Sequence, residues 1–411
     1  MTRSVKLIIS FFIILYCSYA YLYFFNVGIS MIKPLYWFLI TMAFSILLLI
    51  LKSSYKVYKF PFGIGVWVWL YLCDTVICFF YSSQDDVAIQ ALIESFEMSL
   101  LLVAFITIFR TVDFIKESRL ALMLIALFSV LMNLVDFIHP LWSVVPGRAA
   151  GLFVNPTISG KMLVLAMTIG APIVPRKLRL LFCAIVGLGV LVTFSRGAWF
   201  FWVVAVVGLA VTGYLNITSK KTSIFMVSLL AMFVLYTVLT GGVLDYLSRA
   251  GFNEYLTPNT IARLGGETPF SDPSSISRMD VAKKAWEVFS DHPWLGSGLA
   301  DDREWSIGAH NTYLRMATEG GVVRLAIFIT LLIILWHMTD SIGRITLLVY
   351  SLSCLTSHDN LRQPALMVIL ALIATATIRE TRNKQLSSSE SYLTRIKQNS
   401  VGIIRSSSEL Y

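Results

Sequence analysis

The chain has 411 residues, of which 57% are hydrophobic and 14% charged, with a mean hydropathy of +0.74. That apolar share exceeds what a soluble domain carries and leaves no room for a second, soluble domain, so the class is a polytopic membrane protein. The formal charge of +9 would suggest nucleic acid in a soluble protein, but Lys and Arg sit mainly in short loops and the tail, which is a topology signal and excludes a nucleic-acid partner.

A spanning helix needs about 20 apolar residues, fewer when bundled. About twelve segments meet that test, giving an all-α fold with one large outward loop containing short helices. In chain order they are 7–25, 34–51, 61–81, 88–109, 120–138, 158–174, 179–194, 197–215, 223–240, 322–338, 345–358 and 364–378. The first is apolar enough for a signal peptide, but no small-residue cleavage site follows it. The expected organisation is one helical bundle over 1–378, interrupted by the polar loop 242–321. A Ser-rich tail of low order then occupies 379–411 and is expected to lie in solvent or on the lipid surface.

Loop charge separates into two alternating sets. Lys52, Lys56, Lys59, Arg110, Lys116, Arg119, Arg176, Lys177, Arg179, Lys220, Lys221, Arg344, Arg379, Arg382 and Lys384 mark one side as cytoplasmic, with both termini on it. The other loops, at 26–33, 82–87, 139–157, 195–196, 242–321 and 359–363, then face outward, which in a Gram-negative cell is the periplasmic side of the inner membrane. The five cysteines, Cys17, Cys73, Cys78, Cys183 and Cys354, lie in apolar segments with no CxxC spacing and read as small hydrophobes. No HxH, HExxH or separated Cys/His pairs are present, and Asp301-Asp302 lacks the DxD spacing that holds a divalent cation. No metal or cofactor site is expected.

Four groups with chemical potential fall at outward helix ends or in outward loops: Arg148, Arg196, Arg278 and His310. Several guanidiniums beside a membrane suit a diphosphate, because the planar fork donates paired, charge-assisted hydrogen bonds to phosphate oxygens. Arg148, flanked by Gly147 and Gly151, is either such a ligand or an interfacial anchor. Arg196 stands in a tight break between two long apolar helices, where a charge is expensive and usually functional. The spacing of Val281, Ala285, Val288 and Phe289 predicts an amphipathic helix, capped by Asp272 or Ser274. Arg278 falls in its first turn, where a cation opposes the helix dipole; an external anion or a neighbouring Asp272 or Asp280 would relieve it. His310, followed by Asn311, is either a helix cap or a base, since a neutral imidazole with a pKa near 6.5 accepts a proton at neutral pH. The acidic residues inside spans, Asp74, Glu94, Glu97 and Asp136, are expected to pair with Arg148 or Arg196 where helices adjoin, or to form a proton path.

Taken together, these motifs resemble one family. Thr193-Phe194-Ser195-Arg196-Gly197, Arg278 with Ala285-Trp286, the run His292-Pro293-Trp294-Leu295-Gly296-Ser297-Gly298, and His310-Asn311-Thr312-Tyr313-Leu314 with Gly321 resemble the O-antigen ligase and polymerase superfamily. Arg148-Ala149-Ala150-Gly151-Leu152-Phe153-Val154-Asn155-Pro156 resembles its outward-loop motif, so the likeness covers roughly 148–325. The resemblance implies a metal-independent, cofactor-free, inverting glycosyltransferase that moves a glycan from undecaprenyl diphosphate to an acceptor hydroxyl. Arg196 and Arg278 would hold the diphosphate, with Arg148 and Asn311 adding substrate contacts, and His310 would be the base or orienter. A ligase uses lipid A-core as acceptor and a polymerase a second lipid-linked glycan. A transporter of lipid-linked glycans would bind through the same cations and need no base.

Overall fold

The computed structural model describes residues 3–51, 60–111, 114–215, 273–300, 310–357 and 360–375. The expected span at 223–240, the loop stretch 242–272, Asp272, Asp301-Asp302, His358 and the tail 379–411 lie outside the described residues.

The described elements are all helical. In chain order they are α1 (Arg3–Cys17), α2 (Ala20–Asn26), α3 (Pro34–Leu51), α4 (Phe62–Tyr81), α5 (Asp86–Thr111), α6 (Ile115–Ile138), α7 (Pro156–Gly170), α8 (Arg179–Leu191), α9 (Arg196–Val211), α10 (Pro273–Asp291), α11 (Thr312–Met338), α12 (Ser341–Ser353) and α13 (Pro364–Thr375). Six are long and apolar enough to cross a membrane, and a seventh span follows if the bent pair α1 and α2 counts as one. The chain is thus a polytopic helical membrane protein, but the expected count of about twelve is not reached among the described residues. The reason is length. α8 and α12 have 13 residues each, about 20 Å of rise, against a hydrocarbon core of about 30 Å.

Two expected boundaries shift for identifiable reasons. The first segment is not a single helix, because Tyr19 takes a left-handed backbone (φ 59°) and turns α2 by 62° from α1. α11 begins at Thr312, well before the expected 322, and passes through a break at Gly320 and Gly321.

α7 and α13 are the innermost helices. Every residue of α7 from Ser159 to Gly170 is buried, and so is α13 from Ala365 onward. α6, α8, α9 and α12 pack around α7, with Gly160 giving close access to Ala198 and Gly170 to the Met123 backbone. α4, α5 and α11 form the flanking group, in which Trp67 stacks on Tyr71 and donates to the Ile327 carbonyl. α10 packs against α11 through Val281 and Ala285, while Asp280, Lys283, Lys284, Trp286 and Glu287 stay exposed. The amphipathic helix expected there is present.

Candidate functional site

The loop after α6 is organised by one carboxylate. Asp136 is 2% exposed and accepts from four backbone N–H groups: Leu141 and Trp142 on Oδ1 at 3.0 and 2.9 Å, Ala150 and Gly151 on Oδ2 at 2.7 and 3.1 Å. The expected pairing of Asp136 with Arg148 or Arg196 is therefore replaced by main-chain donors. A carboxylate that gathers N–H groups folds a loop that would otherwise leave them unsatisfied. The same loop ends where the Asn155 side chain accepts from Thr157 and Ile158 N–H to cap α7, with Pro156 at its first position.

Arg148 is carried inward by this loop. It is 6% exposed, and its Nε donates to the Thr193 carbonyl at 2.9 Å, while the Ala149 N–H bonds the Val192 carbonyl at 3.0 Å. The loop thus clamps the α8–α9 turn, the one that carries Arg196. Within that turn the Thr193 hydroxyl donates to the Val190 carbonyl and accepts from the Ser195 N–H, and Phe194 has a left-handed backbone (φ 46°). Arg196 is the first residue of α9, half-buried, where the helix dipole disfavours a cation and favours an anion beside it.

The His310-Asn311 turn opens α11. Asn311 caps α11 by accepting from Tyr313 and Leu314 N–H at 2.9 and 3.2 Å, and half-buried His310 just before it has a left-handed backbone (φ 45°). Thr312 then donates its N–H to the Cys354 carbonyl at 2.7 Å and its hydroxyl to the Ser357 carbonyl. Gly197 lies against Thr356, where an added methyl would touch the side chain at 3.7 Å. Segment 354–357 therefore joins the Arg196 turn, with Arg148 behind it, to the His310 turn. Arg278 is half-buried on α10, the helix that packs on α11. The structure corrects its register: α10 starts at Pro273, so Arg278 stands in the second turn and not the first, and Ser274 falls inside the helix rather than at its cap.

The Gly-rich run builds the break in α11. A helix interrupted at Gly320 and Gly321 frees carbonyls before the break and N–H groups after it. The Ser297 and Gly298 N–H groups take up the Thr318 and Glu319 carbonyls at 2.8 and 3.2 Å, and the Val322 N–H bonds the Pro293 carbonyl at 2.8 Å. Gly321 (φ 62°, ψ −157°) is in a region essentially reserved for glycine, and a Cβ there would sit 2.3 Å from the Trp294 carbonyl. Gly298 abuts Ser82 at the end of α4. The two sequence motifs are halves of one structural device.

Beneath this end lies a charged cluster that sequence reasoning missed. Arg315, Glu319 and Arg324 of α11 are each no more than 1% exposed. Glu319 meets Arg315 Nε at 2.9 Å, Arg362 Nη2 at 3.0 Å and Arg324 Nε at 3.3 Å. Arg324 also pairs with Asp74 at 2.7 Å and lies over the Tyr71 ring. Asp74 thus has a cationic partner, but it is Arg324 and not the expected Arg148 or Arg196. On the same turn as Arg362, Asn360 and Gln363 accept from buried Lys161 at 2.6 and 3.0 Å. The available signal was the cations Lys161 and Arg324 inside apolar spans, and the i,i+4 pair Arg315 and Glu319.

Residues 181–329 match the family described as O-antigen ligase. No curated protein and no solved structure matches the chain. The matched stretch takes in Arg196, Arg278, His310, Asn311 and the α11 break, and leaves out Arg148, Asp74 and Arg362. The likeness read from the motifs is borne out over that stretch, where this membrane protein is similar to the O-antigen ligase family.

Proposed function

We propose that the chain is a metal-independent, inverting glycosyltransferase that moves an O-antigen-type glycan from undecaprenyl diphosphate to a sugar hydroxyl of lipid A-core, at the periplasmic face of the bacterial inner membrane. Both termini are then cytoplasmic. The observation that supports it most is the convergence on segment 354–357, where the Arg196 turn meets Thr356 and the His310-Asn311 turn is tied through Thr312.

In this reading Arg196 and Arg278 hold the donor diphosphate and stabilise it as it leaves. Arg148 and Asn311 complete the substrate-binding set, Arg148 by fixing the Thr193 carbonyl on the turn that presents Arg196. His310 takes the proton of the acceptor hydroxyl as that oxygen attacks the anomeric carbon. The bond from that carbon to the diphosphate oxygen breaks, undecaprenyl diphosphate departs with the electron pair, and the anomeric configuration inverts. An anion beside the first turn of α9 also gains from the helix dipole.

The test is turnover with purified enzyme, lipid-linked donor and lipid A-core. His310→Ala should slow transfer by about a hundredfold to ten-thousandfold with donor affinity little changed, and a chelator should have no effect. Near-normal turnover in His310→Ala, or activity lost to chelator and restored by a divalent ion, would overturn the mechanism. Transfer only to a second lipid-linked glycan would reassign the enzyme as a polymerase. Binding that survives with no transfer to either acceptor would mark a transporter.

A further inference from the structure

Of the three guanidiniums on Glu319, Arg362 is the one whose needs are least met. Arg315 is linked to Glu319 within its own helix, and Arg324 has Asp74 as a second carboxylate. Arg362 lends only Nη2 to Glu319, at 3.0 and 3.3 Å from the two carboxylate oxygens. Its side chain is 4% exposed, and among the described residues its Nε and Nη1 meet no hydrogen-bond acceptor. A buried ionic donor left without an acceptor is a rare and unfavourable state that calls for an explanation. Because a guanidinium has donors only, the missing partner must be an acceptor.

The location narrows the choice. Arg362 ends the short turn Asn360–Arg362, which also holds the ammonium of Lys161. That turn follows the segment whose Cys354 and Ser357 carbonyls receive Thr312, two residues after His310. Its acceptor would therefore lie next to the end of the bundle where the Arg196 and His310 turns meet. The open Nε and Nη1 donors lie on different edges of the guanidinium, so each calls for its own acceptor oxygen, and a phosphoryl group is rich in such oxygens.

We propose that Arg362 forms a second phosphoryl-binding site, built on Glu319 and distinct from the Arg196 and Arg278 grip. Naming the phosphoryl group as that of the lipid diphosphate rests on the transferase reading; the anion site itself does not. Glu319 then acts as a positioning residue, holding Nη2 and leaving Nε and Nη1 of Arg362 to donate to the ligand.

The experiment uses the purified full-length chain with two probes, inorganic phosphate and undecaprenyl diphosphate, each titrated at constant ionic strength against chloride. Thermal midpoint and direct binding are followed for wild type, Arg362→Lys, Arg362→Gln, Arg196→Ala and Arg278→Ala. Wild type should show saturable stabilisation. Arg362→Gln should bind undecaprenyl diphosphate at least tenfold more weakly, with Arg362→Lys in between and donor KM rising more than kcat falls. Binding of inorganic phosphate alone, lost in Arg362→Gln, would support the site and assign it to a free anion. Should Arg362→Gln fail to fold, the wild-type titration and Arg362→Lys decide. No stabilisation of wild type by either anion overturns the site. Normal affinity in Arg362→Gln with loss in Arg196→Ala and Arg278→Ala overturns it while the transferase reading stands. Unchanged lipid-diphosphate affinity in all variants removes both.

Discussion

Replacing Glu319 with Gln isolates the worth of the buried cluster, because shape is kept and only the charge is removed. The carboxylate serves Arg315 at 2.9 Å, Arg362 at 3.0 Å, Arg324 at 3.3 Å and the Ala300 N–H at 3.3 Å. Gln retains one acceptor oxygen and turns an amide donor toward guanidiniums that are donors only. Arg324 still has Asp74, so the lost charge is felt most at Arg362, whose ion-pair partner among the described residues is Glu319. Removing one partner of a buried ion pair costs about 3–5 kcal/mol. For a large domain that corresponds to a fall in thermal midpoint of roughly 6–15 °C. The assay is thermal unfolding in detergent followed by tryptophan fluorescence, at one scan rate because membrane proteins of this size seldom unfold reversibly. Glu287→Gln, on the exposed face of α10, is the control and should not shift the midpoint. A Glu319→Gln midpoint within about 2 °C of wild type would mean that the three arginines do not depend on this carboxylate, and the account of the cluster would be wrong.

Two further substitutions probe the frame around the site. Gly321→Ala places a Cβ against the Trp294 carbonyl in a conformation close to glycine-only; it should destabilise by about 2–4 kcal/mol and raise proteolytic cleavage within 292–300, and a wild-type midpoint and digest would refute the role of the break. Asp136→Asn leaves two of four backbone donors facing an amide group; at about 1–3 kcal/mol per unpaired donor the midpoint should drop, and faster hydrogen exchange at Ala150 and Gly151 would locate the loss in the loop that presents Arg148.

Much of this arrangement was legible in the chain, and the illegible parts share a cause. Apolar period and loop charge reveal the helices from 34 to 138 within a few residues, whereas the glycine pair 320–321 reads as the end of the polar loop and turns out to be a break inside α11, with Gly321 in a backbone that other residues rarely adopt. The amphipathic spacing around Val281 and Ala285 predicts α10 correctly, and its start at Pro273, a residue that suits a first helical position, rules out Ser274 as the cap. The kink at Tyr19 has no such mark, since a non-glycine residue with positive φ is held there by packing. Pairings were hardest. Asp74 and Arg324 are far apart in sequence, and nothing local tells Asp74 to choose Arg324 over Arg196. Yet the cations Arg324 and Lys161 lie within apolar spans, and each unpaired charge at such depth demands a partner. Matching intramembrane acids to intramembrane bases, rather than to loop arginines, would have pointed to the cluster.

The break in α11 explains why the cluster and the site occupy one place. An unbroken helix would satisfy the Thr318 and Glu319 carbonyls internally and leave the 293–298 run without a dock. With the break, Glu319 acts through both of its halves: its carbonyl receives the Gly298 N–H while its carboxylate receives Arg315, Arg324 and Arg362. The turn holding Arg362 connects to segment 354–357, on which the Arg196 and His310 turns both rest. One buried residue therefore ties the loop above the break to the segment beneath the candidate chemistry. A perturbation there should reach catalysis through geometry even though Glu319 itself touches no substrate in this scheme. Its signature would be a fall in turnover that parallels the fall in midpoint.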